Sequence, residues 1–377
     1  MSAGPAIDPK RVVIAGGGIA AVEALMGLAD RGERRLQITL LSSRDRFMLR
    51  PQLIGEPWGG EALSVDLRRL TDDFDATLQL ETVVAVEPGI AATAAGARVA
   101  FDELIVAVGA WPSLPYAGAQ TIGFGSLPGA LVAGAAGSVA IVVPPGVGWT
   151  LPAYQLALQV AGAAPGRVTV VTPERLPLEQ FGMAAHDADQ LLQTHGVKVA
   201  TQTNVPIGMN AAELADTVLA LPLLHGPSLA GLPTNAAGFH HVDELMRVVG
   251  VPNIHVIGDA TDGHIKQGGL AGQQADVAVA DIAHGAGNPL APGPYEPVLR
   301  GKLVAPDGTS LYLRRALDGD DAGKASPRPL REPAGMLCAW RLVRWLNLHR
   351  DEFGADPLEP LARPWPTQRS PSGSSTQ

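Results

Sequence analysis

Apolar residues come in two rhythms along this chain. Short unbroken runs stand at Arg11–Ala15 (RVVIA), Leu36–Leu41 (LQITLL), Leu104–Val108 (LIVAV), Ser138–Val143 (SVAIVV), Arg167–Thr172 (RVTVVT) and Ile254–Ile257 (IHVI). Their length and continuity predict strands covered on both faces, as in a parallel sheet. Helical stretches alternate with them, at Ile19–Asp30, Pro152–Ala163, Ala184–Thr194 and Gly269–His284. Weaker patterns predict a short helix over Val65–Asp73 and strands near Leu78–Val86, Ala97–Phe101 and Val197–Ala200. The strand–helix–strand order starts at the N-terminus, starts again at Ser138, and the first kind returns at Ile254. That alternation predicts an α/β fold with two nucleotide-binding-type units.

Composition narrows the class. At 46% hydrophobic and 17% charged residues over 377 positions, a large core is available and disorder is not expected. The net charge of −9 argues against a nucleic-acid partner. A single cysteine, Cys338, excludes a disulfide framework, a cysteine zinc site and a CxxC redox pair within the chain. The histidines show no metal-ligand spacing, so no metal site is expected. Leu104–Gly166 lacks any Asp, Glu, Lys or Arg, but prolines divide it, and the longest proline-free piece has 15 residues. A spanning helix needs about 20. No charged start with an apolar run behind it opens the sequence, so a cytoplasmic chain is expected.

Gly16-Gly17-Gly18-Ile19-Ala20-Ala21 is a GxGxxA turn between a strand and a helix. Gly16 permits the tight turn, Gly18 lets a pyrophosphate approach the backbone, and Ala21 keeps helix and strand close. The helix N-terminus then offers free N–H groups to an anion. The acidic residue expected at the end of the second strand is missing. Ser42 stands there instead, and Asp45 comes three residues late.

With AVGA at Ala107–Ala110 and IGDA at Ile257–Ala260 in the same order, the chain resembles the FAD/NAD(P)-binding flavoproteins of the pyridine nucleotide-disulfide oxidoreductase type. The stretch FMLRPQLIGEP (Phe47–Pro57) is similar to the type-II NADH dehydrogenase and sulfide:quinone oxidoreductase branch. The resemblance implies two Rossmann-like domains. A discontinuous FAD domain covers 1–120 and 236–300, and a second nucleotide-binding-like domain covers 121–235. A C-terminal extension, 301–367, contains a helix at 336–350, and 368–377 is a disordered tail. FAD contacts are implied for Gly16, Gly17, Gly18, Ile19, Ala20, Ala21, Ser42, Arg50, Pro51, Ala107, Gly109, Gly258, Asp259, Gly269 and Leu270. Lys266 and Gln267, at the start of the long helix, are implied to tune the flavin as catalytic groups, since a cation or helix N-terminus stabilises reduced flavin.

The second unit departs from this pattern. It reads Pro144-Pro145-Gly146-Val147-Gly148-Trp149-Thr150-Leu151. The prolines remove two N–H donors, while Gly146 and Gly148 keep the glycine pair and Glu174 can take ribose hydroxyls. Two readings stay open: a working NAD(P)H site, or a relic of one. The redox cysteines of sulfide:quinone oxidoreductases are absent. The expected function is an FAD-dependent oxidoreductase passing electrons from NAD(P)H to a quinone or other small acceptor. The alternatives are a non-nicotinamide donor, or a redox-silent FAD-binding scaffold. In MLCAWRLVRWLNLHR (336–350), Arg341 and Arg344 make a narrow polar stripe on an apolar helix. That suits peripheral contact with the inner face of a membrane, or else a cap on the flavin domain or a homodimer contact.

Overall fold

The computed structural model describes residues 9–32, 35–50, 52–53, 62–123, 137–330 and 339–353. The first domain is built on β1 (Lys10–Ala15), β2 (Leu36–Leu41), β3 (Thr77–Gln79) and β4 (Glu103–Val106). They join a parallel sheet in the order β4-β1-β2-β3. The buried run Val12–Ala15 sits at its centre, with Val12 paired to Ile38 on one side and to Glu103 on the other. Helix α1 (Ile19–Gly32) and helix α2 (Leu67–Asp73) belong to this domain. The predicted strand near Leu78–Val86 is divided between two sheets, because Leu80–Thr82 leave β3 and Val83–Glu87 joins a separate antiparallel sheet.

The second domain is a five-stranded parallel sheet. Its strands are β5 (Gln120–Thr121), β6 (Val139–Val142), β7 (Val168–Val171), β8 (Lys198–Ala200) and β9 (Thr217–Ala220), in the order β5-β9-β6-β7-β8. Helix α3 (Leu151–Ala163) follows β6, and α4 (Ala185–Thr194) follows β7. Leu156, Ala157 and Val160 of α3 meet Ile141 and Val170 in its core.

The chain then returns. β10 (Arg247–Val248) and β11 (Val251–Val256) extend the first sheet beyond β4, with β10 antiparallel. Helix α5 (Gly268–Gly285) lies against α1. Small residues on both helices, Ala20, Ala24, Ala271, Ala275 and Ala278, let the backbones come close.

The C-terminal part holds more than a helix. β12 (Val298–Val304), β13 (Ser310–Ala316) and β14 (Lys324–Ser326) form an antiparallel sheet. The hydrophobic pattern does not predict it, because Arg300, Lys302, Arg314 and Arg315 break the apolar alternation. β12 bridges the two domains through a pair of carboxamides. Gln273 of α5 accepts from Val298 N (2.9 Å) and donates to Val298 O (3.0 Å). Gln155 of α3 accepts from Val304 N (2.8 Å) and donates to Val304 O (2.9 Å).

Helix α6 (Trp340–Leu348) fills part of the helix expected at 336–350. Positions 336–338, Pro51, 354–367 and the tail 368–377 lie outside the described residues. Leu342, Val343, Trp345 and Leu346 of α6 enter the core formed by α1 and α5. The arginine stripe needs correction. Arg344 is exposed, but Arg341 is 4% exposed and reaches Glu23, Asp276 and Asp30. The apolar face of α6 is thus covered by the flavin-type domain itself, leaving Trp340 and Leu348 as its large exposed apolar residues. Among the described residues no helix is long and apolar enough to cross a membrane.

Candidate cofactor site

Three residues, 16–18, connect β1 to α1, and each glycine has a different reason to be there. Gly16 has φ +130°, and a Cβ on it would lie 2.2 Å from Ala107 O. A Cβ on Gly17 would lie 2.3 Å from Ser42 Oγ. A Cβ on Gly18 would meet nothing within 4 Å. Only the third glycine opens onto free space, in front of the unpaired N–H groups of α1, and no acidic side chain occupies that first turn. This is the cradle an anionic pyrophosphate needs. Ile19, Ala20 and Ala21 form the first turn of the helix.

Ser42 is 2% exposed, and its hydroxyl donates to Arg44 O (2.7 Å) and accepts from Arg44 N (3.2 Å). The side chain expected at a ribose closes a local turn beneath Gly17. Ala107 donates its N–H to Ala15 O (2.7 Å), and Gly109 turns the chain with φ +76°.

Gly258 passes between α1 and α5 with φ +71°; a Cβ on it would lie 3.2 Å from the Ala20 Cβ and 3.6 Å from the Ala271 Cβ. Gln274 of α5, which the sequence did not single out for this role, accepts the Gly258 N–H at 2.6 Å. The signal was available: a glutamine buried on the inward face of an apolar helix needs a polar partner. Asp259 follows. Burial pushes its carboxyl up, and the Lys266 and Arg50 charges draw it back.

Lys266 sends Nζ to Thr261 O and lies 3.8 Å from the centre of the Phe239 ring. Burial lowers its pKa to about 8, against the opposing pull of Asp259 and Asp262. Its ordinary value is 10.5, so between about pH 8 and that value the unfolded chain holds the extra proton. The folded state therefore gains stability as pH rises through this window. Urea unfolding of flavin-free protein should show the parent gaining on Lys266→Met between pH 8 and pH 10.5. Parallel pH profiles would show that Lys266 is not desolvated.

Gln267 caps α5. Its Oε1 accepts from Leu270 N (2.9 Å), and its Nε2 donates to Arg300 O (3.0 Å). Both ends of this amide serve the protein's own backbone. Gly269 and Leu270 form the first turn of α5, with Leu270 in the core of the second domain.

In the second domain, eight residues, 143–150, separate β6 from α3, where three suffice in the first. Gly146 is open, with φ +86°. Gly148 is covered: a Cβ there would lie 2.4 Å from His264 O. Glu174 is 7% exposed and accepts from Thr150 Oγ1 (2.9 Å), Tyr154 OH (2.5 Å) and Thr172 Oγ1 (3.0 Å). Burial raises its pKa. The carboxyl expected at a ribose is held inside a hydroxyl cluster. Among the described residues no cluster of three His, Cys, Asp or Glu can hold a metal.

The model of the family "Pyridine nucleotide-disulphide oxidoreductase" matches residues 10–279. The chain belongs to this family. It is an FAD-dependent oxidoreductase, and the pyridine nucleotide-disulphide oxidoreductases as a family bind FAD and use NAD(P)H. Among solved structures, the sulfide:quinone oxidoreductase of the hyperthermophilic bacterium Aquifex aeolicus matches with a TM-score of 0.71 and 19% identity, over 90% of this chain and 91% of that one. The NAD-dependent persulfide reductase of A. fulgidus matches at 0.61 and 17%, over 81% and 64%. A chain of the Tetrahymena thermophila mitochondrial ATP synthase matches at 0.64 and 13%, over 97% and 100%. At these identities the likeness is one of fold. No curated protein matches.

The first domain fits FAD on its own geometry. The protein fills the space at Gly16 and Gly17 and leaves it open at Gly18.

Proposed function

We propose that this oxidoreductase takes electrons from NAD(P)H and passes them through FAD to a quinone or another small acceptor. The observation that carries the flavin part is the phosphate turn that opens only at Gly18, with the Lys266 and Arg50 charges drawing down the buried Asp259 carboxyl. Gly16–Ala21 would hold the pyrophosphate, with Ala107, Gly109 and Gly258 shaping the backbone around it. Asp259 would accept from cofactor hydroxyls, and Gln274 holds the N–H of Gly258, the residue before it. FAD, when bound, supplies the two-electron centre. Lys266 and the N-terminus of α5 would offer positive charge to reduced flavin, which is anionic. Gln267 keeps the end of α5 in place.

A second reading, in which the donor is not a nicotinamide nucleotide, rests on specific geometry. The loop to α3 is five residues longer than the flavin-side turn, Gly148 is covered by His264, and Glu174 is already engaged by three hydroxyls.

Anaerobic titration with NADH and then NADPH, followed at the flavin band near ~450 nm, separates the two. Bleaching at near-stoichiometric nucleotide is expected for the first reading. Flavin that stays oxidised with both nucleotides overturns it in favour of the second. Turnover of reduced protein with artificial quinone and non-quinone acceptors then narrows the class of acceptor.

A further inference from the structure

Residues 264–270, beside the proposed flavin site, are held by the second domain. At Gly148 the two chains touch so closely that a Cβ would lie 2.4 Å from His264 O and 2.8 Å from His264 Cδ2. Ile265 leans on the core of the second domain, to which Val147 and Trp149 of the same loop also contribute. Leu270, 5% exposed, is built into that core with Leu151, Phe181 and Leu299. Gln267 is tied to Arg300 O on β12. Between these anchors Lys266 alone turns the other way, to Thr261 O, the Phe239 ring and Asp259 in the flavin-type domain. Residues 264–267 lie outside helix and strand, so no ladder of their own fixes their path. Their path is set by what they lean on. The longer connection from β6 to α3 is what carries Gly148 to His264.

We propose that Gly148 and its loop, Val147–Thr150, are positioning elements for Lys266: the second domain sets the place of the flavin-side lysine by holding the segment on either side of it. The proposal rests on the flavin reading of the first domain. It assigns the glycine of the second domain a task other than approach to a phosphate. A side chain at 148 must displace the His264 carbonyl, and Lys266 is two residues further along the same segment.

The test uses the flavin-loaded protein. Gly148→Ala should weaken the preference for reduced over oxidised flavin about tenfold, a shift of about 30 mV to more negative potential for a two-electron couple. In a Lys266→Met background the same substitution should give no further shift, since the effect runs through the lysine. Ile265→Ala adds no atoms and removes an anchor, so it should shift the potential in the same direction and covers the case in which Gly148→Ala does not fold. A second readout needs no flavin. Amide hydrogen exchange of flavin-free protein should be faster at Lys266–Leu270 in either variant.

Lower melting temperatures with unchanged potentials would mean that Gly148 only packs, and would overturn the proposal. So would a shift that persists undiminished in the Lys266→Met background. A parent protein that takes up no flavin would sink the flavin reading instead. The exchange measurement would then decide: unchanged protection at Lys266–Leu270 overturns the positioning role, and faster exchange supports it.

Discussion

Replacing Gly18 by valine is expected to leave a folded protein without flavin. A Cβ at this position meets no protein atom within 4 Å, and its φ lies outside the left-handed region. The fold therefore has no reason to object. The branched side chain instead enters the space before the α1 N-terminus, where the pyrophosphate must approach the backbone. We expect FAD affinity to fall at least a hundredfold, about 2.7 kcal/mol, with a melting temperature close to that of flavin-free parent. Gly16→Ala is the contrast. Its Cβ would lie 2.2 Å from Ala107 O at a φ of +130°, so it should damage the fold itself. Absorbance of the purified variants and their thermal unfolding separate the two effects. A Gly18→Val protein that keeps its flavin would show that the phosphate turn is assigned wrongly.

The largest stability effect should come from Arg341→Met. Glu23 on α1 has no exposure, and Arg341 on α6 is 4% exposed. The guanidinium lies 3.7 Å from Glu23, 3.8 Å from Asp30, and in direct contact with Asp276. Glu23 also accepts the backbone N–H groups of Arg341 (3.3 Å) and Leu342 (2.7 Å), so one buried carboxylate holds both the start of α6 and its arginine. Removing one partner of a buried pair costs about 3–5 kcal/mol, because the other charge is left without compensation.

The loss should depend on pH. Burial raises the Glu23 pKa from 4.5 to about 7, so the folded state takes up a proton in that window and stability falls as pH rises through it. Without the arginine the pKa rises further, so the deficit should be larger at pH 8 than at pH 5.5. Urea unfolding at both values measures it, and Glu23→Gln in the Arg341→Met background should recover part of the loss at pH 8. A cost below about 1 kcal/mol at pH 8 would mean that the ion cluster does not anchor α6.

The flavin half of this molecule was legible because its signals are local and mutually consistent. GGGIAA follows an uninterrupted β-branched strand, and a turn of three residues leaves little freedom in where the helix begins. Ser42 shows the limit. A small polar residue at a strand end reads as a ribose partner, yet its hydroxyl is needed to close the turn under Gly17. The second half was less legible because glycine spacing was retained while loop length was not. Gly146 and Gly148 suggest a phosphate turn, but the distance from Val142 to Leu151 is the better guide. Glu174 has the place in sequence of a ribose partner, and its hydroxyl partners Tyr154 and Thr150 come from elements that only the fold assembles. The sheet of β12–β14 escaped notice because Lys302 and Arg314 sit in its strands, and nothing in the local pattern shows that Lys302 is buried. Arg341 was read as surface for the same reason, as its acidic partners lie more than 60 residues away in the chain.

The two glutamines that grip β12 limit how this protein can be rebuilt. Each carboxamide gives one hydrogen to, and takes one from, the backbone of a single strand residue, Val298 for Gln273 and Val304 for Gln155. A glutamate in either place could only accept, and a leucine could do neither. A chimera that imports a foreign nicotinamide-binding domain in place of residues 121–235 would therefore lose more than Glu174 and the Gly148 loop. Unless the incoming helix carries a glutamine where Gln155 stands, the far end of β12 loses its seat.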